Sequence, residues 1–572
     1  MESRVRERTS VAIVGGGPAG SVAALCLRKL GRDAVLLERD QFPRYRIGES
    51  LLPGTMSILN RLGVIDRVEA AGFPKKRAAT FLWGTGQEPW SFTFSTPKTA
   101  PWVYDHAFQV TRGEFDAILL DAARERGTEV VHGVQVTDVA TDDDGAARVA
   151  WSSDGATGVL EADFVVDASG ASGVIARKHG LRRWDEYYKN LAIWSYFKGA
   201  KRYKGDLAGN IFSVSFRDGW MWFIPQKDDM YSVGVVTGLE SNDRLRELGP
   251  EAFYLECLDS CAFAVDTLAG AERVDEVRVV RDWAYDASRL TVDRAFMCGD
   301  SACFIDPLFS QGVHLATYSG MLAAAAIDYL LDHPDEHDPV TAWFEDAYRS
   351  AYNRYHKFLS AFYFHCDEED STFWRNRRIE SVGDERFEGK EWFLALAGQE
   401  SEGLASLQAG SRILRTLWDH GGRGLTEEFD ESALSIRRVR WAADFLRTLR
   451  GLAGLRWTGA EVELVDAFSV HPTTFKLQSS GYLGDGNGRV CRSFPLSEDH
   501  RRLFEGTIAE PLRYDELIAG LRAVEPRMAA PDRIVRQLLE DGLLEGFDAK
   551  GEPVAIEFAM RFGGVGGDDD LS

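Results

Sequence analysis

The sequence is poor in cysteine. Only seven occur among 572 residues, at Cys26, Cys257, Cys261, Cys298, Cys303, Cys366 and Cys491, and none forms a CxxC pair. So sparse and scattered a set excludes a disulfide framework and a cysteine-ligated metal site, and it fits a reducing cytoplasm. Cys257 and Cys261, four apart on one helix face, read as core thiols. Long apolar runs are also lacking: no stretch nears the roughly 18 residues needed to span a membrane. The opening MESRVRERTS is too polar for a signal peptide. Positive charge is short: 66 Lys and Arg stand against 89 Asp and Glu, a net charge of −23. That sign argues against a nucleic-acid partner, because phosphate binding needs excess Lys and Arg. A cytoplasmic protein with no membrane partner and no metal is expected. Aromatic residues, by contrast, are plentiful. Thirty-three Phe and fifteen Trp suggest aromatic-lined pockets or a large aromatic core.

The N-terminal part reads as a β-α-β unit. Val11–Val14 form a short apolar strand, Gly15, Gly17 and Gly20 follow, an apolar-periodic helix runs to Leu30, and a second strand, Ala34–Leu37, ends at Glu38. GGGPAG satisfies GxGxxG between a strand and a helix, with an acidic residue eighteen positions after Gly20. That context makes the motif a dinucleotide site: its glycines allow a tight turn, and backbone amides at the helix start face a pyrophosphate. Glu38 suits ribose hydroxyls and disfavours a 2′-phosphate. Further buried strands are expected at Phe164–Asp167 and Phe296–Cys298, with a small sheet of hairpins over 130–160. A half-buried antiparallel sheet is inserted at about 185–290. A long helix should follow from Gly312 to about Leu331, and a second over roughly 339–363.

The motif alone does not choose between NAD and FAD. The segment CGDSACFIDPLFSQGVHLA at 298–316 does, because it resembles the second flavin-contact motif of aromatic-hydroxylase-like flavoproteins. That resemblance implies that Asp300 holds the ribityl chain and that the helix at Gly312 faces the flavin. It also implies that Arg112 contacts phosphate and that Asp167 completes the cofactor site. Ala19 and Arg46 belong to the same expected set.

GWMWFIP at 219–225 matches WxWxIP, the mark of the flavin-dependent halogenases, and GESLLPG at 48–54, preceded by FPRYRI, resembles them too. Within that family the sequence is most similar, over nearly its whole length, to the branch acting in chloramphenicol biosynthesis. The resemblance implies an FADH2- and O2-dependent chlorination through a flavin C4a-hydroperoxide and hypochlorous acid. Trp220 and Trp222 would crowd the flavin and keep substrate away. Lys76 is favoured over Lys75 as the lysine that holds or carries the chlorine. Chloride would sit by the amides of Gln311 and Gly312. Glu49 or Tyr355 would assist proton transfer, and Asp282 would tether the flavin covalently. The substrate would be an activated acyl group on a carrier protein, and a separate flavin reductase would supply reduced FAD. Tryptophan-type members carry a Glu where this chain has Phe309, so free tryptophan is not the expected substrate.

The fold class is therefore α/β: an FAD-binding domain over 1–365 with its inserted sheet, a mainly helical region over 366–490, and a winged-helix-like unit over 491–572. That last unit rests on helices carrying Leu517 and Leu521, then Ile534 and Leu538, followed by Gly542 and a turn near 548–551. Residues 491–560 hold 9 Lys and Arg against 14 Asp and Glu, which opposes DNA binding and favours a lid or carrier-protein dock. The competing reading is an FAD monooxygenase, which shares the flavin motifs but has no use for WxWxIP or the lysine.

Overall fold

A computed structural model describes residues 5–85, 89–94, 103–141, 146–281, 283–364, 366, 368, 371–377, 446–486, 489–491, 496–526, 531–554 and 556. The chain divides into two compact units. The first comprises 1–383, 396–399 and 470–477, and the second the remainder.

The first unit is built on two sheets. Five parallel strands, in the order Ala295–Met297, Ala156–Asp167, Arg8–Val14, Ala34–Glu38 and Glu129–His132, form the nucleotide sheet. Its central strands are continuous apolar runs because both faces are covered: Val11 to Val14 and Ala34 to Glu38 are buried throughout. The helices Pro18–Lys29, Arg112–Glu125 and Gly312–Asp332 belong to this layer.

The second sheet is mainly antiparallel. Asn190–Lys198, Met230–Gly238, Gly219–Pro225 and Ile211–Phe216 follow one another in space. Its far edge is Ala78–Leu82, parallel to Ile211–Phe216, and then Trp90–Thr93. These last two strands lie outside the expected insert and were not anticipated: Ala78–Leu82 is buried at every position and carries no period-2 alternation, whereas Trp90–Thr93 alternates, Trp90 and Phe92 with Ser91 and Thr93, but over only four residues. Along Gly219–Pro225 the strand period of two divides the side chains. Met221 and Phe223 join a core with Phe253, Tyr254 and Leu258, while Trp220, Trp222 and Ile224 line a cavity.

In the second unit, Gly454–Trp457 pairs with Leu544–Phe547, and helices span Glu498–Ala509, Tyr514–Val524 and Pro531–Glu540. Leu517, Leu521, Ile534 and Leu538 are buried in one core. The helices and the 548–551 turn stand where expected, but the strand after the third helix finds its partner at 454–457, outside the segment read as a winged helix. Residues 454–484, read as helical, contain strands instead, and 378–445 lie outside the described residues. All seven cysteines are buried and none is disulfide-bonded. Among the described residues there is no metal-binding cluster and no helix long and apolar enough to cross a membrane.

Candidate active site

Between the two sheets of the first unit lies a cavity of about 610 Å³. Its floor begins where Arg8–Val14 ends. Gly15 has φ +100, and a Cβ there would stand 2.4 Å from the carbonyl oxygen of Ala168, so only glycine lets the two strand ends converge. Gly17 caps the helix Pro18–Lys29, whose first amides and dipole present partial positive charge. Glu38 is buried; its Oε2 accepts from the Gly16 amide at 2.6 Å and its Oε1 from the Asp40 amide at 2.8 Å. Gly15, Gly17, Ala19, Glu38, Arg46, Arg112, Asp300 and Gly312 all line the cavity. A long groove with glycines and an acidic residue at one end and a helix N-terminus at the other fits a dinucleotide.

Two expected cofactor residues stand elsewhere. Gly20 serves the turn: a Cβ there would meet the Gly15 oxygen at 1.9 Å. Asp167 is also off the cavity wall. Its carboxylate accepts from the amides of Ser169 at 3.0 Å and Ile175 at 2.9 Å, so it ties a turn and leaves the wall to Ala168–Ser172. Arg112 is buried, not a surface ion pair. Its guanidinium grips Asp116 through two bonds of 2.9 and 3.0 Å and donates to the Ile47 carbonyl at 2.7 Å. Arg44 reaches the same carboxylate at 2.8 Å. Asp116 thus positions two cavity-lining arginines, a role that sequence reasoning missed, although its spacing from Arg112, four along one helix, carried the signal.

At the other end, burial pushes the Asp300 carboxyl up to about 6, against the pull of Arg112 and Arg182. Trp220 and Trp222 stand side by side on the wall, ring centroids 6.1 Å apart. Trp222 Nε1 donates to Ser232 Oγ at 3.2 Å. Trp222 lies over Gly234, where a Cβ would come within 2.1 Å of its Cζ2. Gly234→Ala is therefore expected to displace Trp222 and cost about 1–3 kcal/mol through overpacking, read as a lowered denaturation midpoint and altered tryptophan fluorescence. Trp220 Nε1 donates to the Tyr363 hydroxyl. Tyr363 in turn donates to Asp306 at 3.2 Å, and that buried carboxylate also accepts from Asn190 Nδ2 and the Leu308 amide, each at 3.0 Å. Asp306 and Asn190 were not anticipated either. Asp306 lay inside the quoted motif, but only the fold shows that Tyr363 and Asn190 meet it.

Lys76 follows on the short strand Lys75–Lys76, where Lys75 points outward and Lys76 is 0% exposed. Its Nζ donates to the Leu51 carbonyl at 3.0 Å and to Ser310 Oγ at 3.3 Å, with the Phe94 ring 5.4 Å away. Burial pulls its amine down to about 7 from 10.5. Ser310 lines the cavity and stands two residues before Gly312, the first residue of the 21-residue helix Gly312–Asp332. That helix start leaves amides without intrahelical partners. The lysine amine thus bonds the loop that leads into an anion-favouring helix N-terminus.

Residues 8–328 match the family described as an FAD binding domain, and 441–558 match the chloramphenicol halogenase CmlS C-terminal domain. The chain belongs to the flavin-dependent halogenases. Its fold superposes on the crystal structure of CmlS, a flavin-dependent halogenase, with a TM-score of 0.82 and 46% identity, covering 98% of this chain and 100% of that one. The myxobacterial chondrochloren halogenase CndH is 37% identical with a TM-score of 0.63, over 66% of this chain and 88% of its own. A tryptophan 2-halogenase of Chondromyces crocatus is 34% identical over 376 residues, 65% of this chain and 71% of that protein.

The remaining expected residues fall partly on the cavity wall and partly off it. Glu49 lines the cavity and is buried; desolvation raises its pKa. Gln311 is buried but is not on the wall; its side-chain amide donates to the Asp306 carbonyl. Tyr355 is buried on the helix His337–Phe364, its ring 6.4 Å from that of His314, and it does not line the cavity. Burial raises its hydroxyl pKa. Asp282 lies outside the described residues, though Arg281 and Trp283 beside it line the cavity. Phe309 packs among Phe81, Phe358 and Phe362, with centroids 5.8, 4.7 and 5.0 Å away. A closed aromatic cluster stands where a Glu at position 309 would need polar space.

Proposed function

We propose that this halogenase uses reduced FAD, oxygen and chloride to chlorinate an activated acyl group, a carrier-protein thioester, in biosynthesis of a chloramphenicol-like product. The observation that carries the reading is Lys76: a fully buried amine, held near neutrality, hydrogen-bonded to the loop that opens the helix at Gly312. FAD would lie with its pyrophosphate at Gly15–Gly17, its ribose at Glu38, its ribityl chain at Asp300 and its ring against Trp220 and Trp222. When bound and reduced, it supplies with oxygen the two-electron oxidant that converts chloride to hypochlorous acid.

The chain's own residues do the rest. Amides at Gln311 and Gly312 favour chloride through the helix dipole. The paired tryptophans exclude an organic substrate from the cofactor face, which suppresses direct hydroxylation. Lys76 presents an amine that is about half neutral at pH 7 and largely neutral above it, able to hold hypochlorous acid or to take its chlorine. The acyl α-carbon, acidified by the thioester carbonyl, enolises and accepts the chlorine. Tyr355, buried beside His314 of the Gly312 helix, would assist proton transfer to or from the substrate. Asp282 is the residue to which a covalent flavin would be tethered. A separate reductase supplies reduced FAD, and residues 491–560 serve as a lid or a carrier-protein dock.

The reading is tested by mass spectrometry of a reaction with FAD, a flavin reductase, NADH, oxygen and chloride. Acetyl- or acetoacetyl-loaded carrier protein is the substrate. A chlorine isotope pattern on the acyl group, replaced by bromine when bromide is substituted, is expected. Oxygen insertion without halogen would favour the monooxygenase; halogen on a free aromatic acceptor alone would overturn the thioester assignment.

A further inference from the structure

Halogenation draws a proton from solvent. When C–H becomes C–Cl with chloride, oxygen and FADH2 as reactants, the products are oxidised FAD and two waters. Oxygen takes up four electrons, two from the reduced flavin and two from the C–H and chloride pair. Chloride enters as an anion and ends in a neutral bond, so charge balances only if one proton is taken up in each turnover. The cavity wall must admit it.

One hydrogen-bonded chain crosses that wall. Tyr45 is 43% exposed. Its hydroxyl accepts from Tyr196 OH at 3.0 Å and from Trp194 Nε1 at 2.7 Å. Tyr196 OH also stands 2.8 Å from Glu49 Oε1. Glu49 lines the cavity, with Ser232 and Gln226 beside it, and Ser232 receives the Trp222 N–H. The charged groups facing the chain are few. Arg112 acts on Glu49, and the Arg278 guanidinium lies 4.4 Å over the Tyr45 ring. With Trp194 spending its N–H on Tyr45, the Tyr196 proton has two destinations, Tyr45 and Glu49, which is the arrangement of a switchable donor.

We propose that Tyr45, Tyr196 and Glu49 form a proton relay from solvent into the cofactor cavity, delivering the proton that chlorination consumes. This rests on the halogenase reading. Tyr196 gives its proton to a Glu49 carboxylate as Tyr45 gives its own to Tyr196 and takes one from water. No tyrosinate accumulates, because burial raises the tyrosine pKa and the transfers are concerted. Burial likewise favours a protonated Glu49 between deliveries.

The test uses the infrared band of a protonated carboxyl in the oxidised holoenzyme, assigned by its loss in Glu49→Gln. In D2O that band is expected to shift rapidly in the unaltered protein and slowly in Tyr196→Phe, with Tyr45→Phe intermediate. Turnover of Tyr196→Phe should fall by at least about tenfold, with the KM for chloride unchanged and FAD still bound. Equally fast exchange in Tyr196→Phe, or no protonated carboxyl assignable to Glu49, would overturn the relay. The exchange measurement needs no turnover, so it stands even if the acyl substrate assignment fails.

Discussion

Lys76→Met is expected to abolish chlorination, by at least about a thousandfold, while flavin binding and air oxidation of reduced flavin continue. The amine has no substitute, because Lys75 is exposed on the opposite side of the same short strand. The substitution should also stabilise the protein. A lysine whose amine falls from 10.5 to about 7 on folding makes folding release a proton at neutral pH. Between about pH 7 and 10.5 the unfolded chain binds the proton that the folded one lacks, so stability rises with pH across that window. The penalty is complete below about pH 7. Methionine removes it, leaving a smaller loss of about 1–2 kcal/mol from the unpaired Leu51 carbonyl. The net expected gain is a few kcal/mol at pH 7, with the pH slope gone, measured by urea unfolding at two pH values. Lost stability in the variant would mean that the amine is charged and well paired in the native protein.

Asp116→Ala is expected to have the largest structural effect. The carboxylate is fully buried and holds two guanidiniums, those of Arg112 and Arg44. Removing one partner of a buried ion pair strands the other charges and costs about 3–5 kcal/mol. The loss would also reach the cofactor. Arg112 pins the Ile47–Gly48 carbonyls, and Gly48, Glu49 and Ser50 line the cavity. FAD affinity should therefore fall at least about tenfold, measured by fluorescence titration. Asp116→Asn keeps the shape and a single acceptor and should fall between. Wild-type affinity in Asp116→Ala would show that the Gly48–Ser50 loop holds its place without Arg112.

The dinucleotide half was legible because its demands are local. A buried strand, a glycine turn and a helix start must be contiguous in sequence, and Gly15, Gly17 and Glu38 stand where the spacing put them. WxWxIP was readable for a similar reason: alternation on one strand sends Trp220 and Trp222 to the same face. What escaped depends on encounters between distant segments. Tyr363 reaching Asp306 and Trp220, or Arg44 joining Arg112 on Asp116, has no periodicity to betray it. For Asp167 the motif fixes its position at a strand end but not the direction of its carboxylate, which two amides claim. Strand Ala78–Leu82 escaped because a strand buried on both faces shows no alternation, and Trp90–Thr93 because four alternating residues are too short a signal.

The most direct test of the central claim, a fully buried and neutral amine bonded to the cavity-lining Ser310, is the pH profile of chlorination divided by the rate of flavin oxidation. The account predicts a rising limb with an apparent pKa near 7, set by Lys76, and a profile that vanishes with Lys76→Met. A ratio that is flat through neutrality, or that climbs only toward the ordinary lysine value of 10.5, would contradict it.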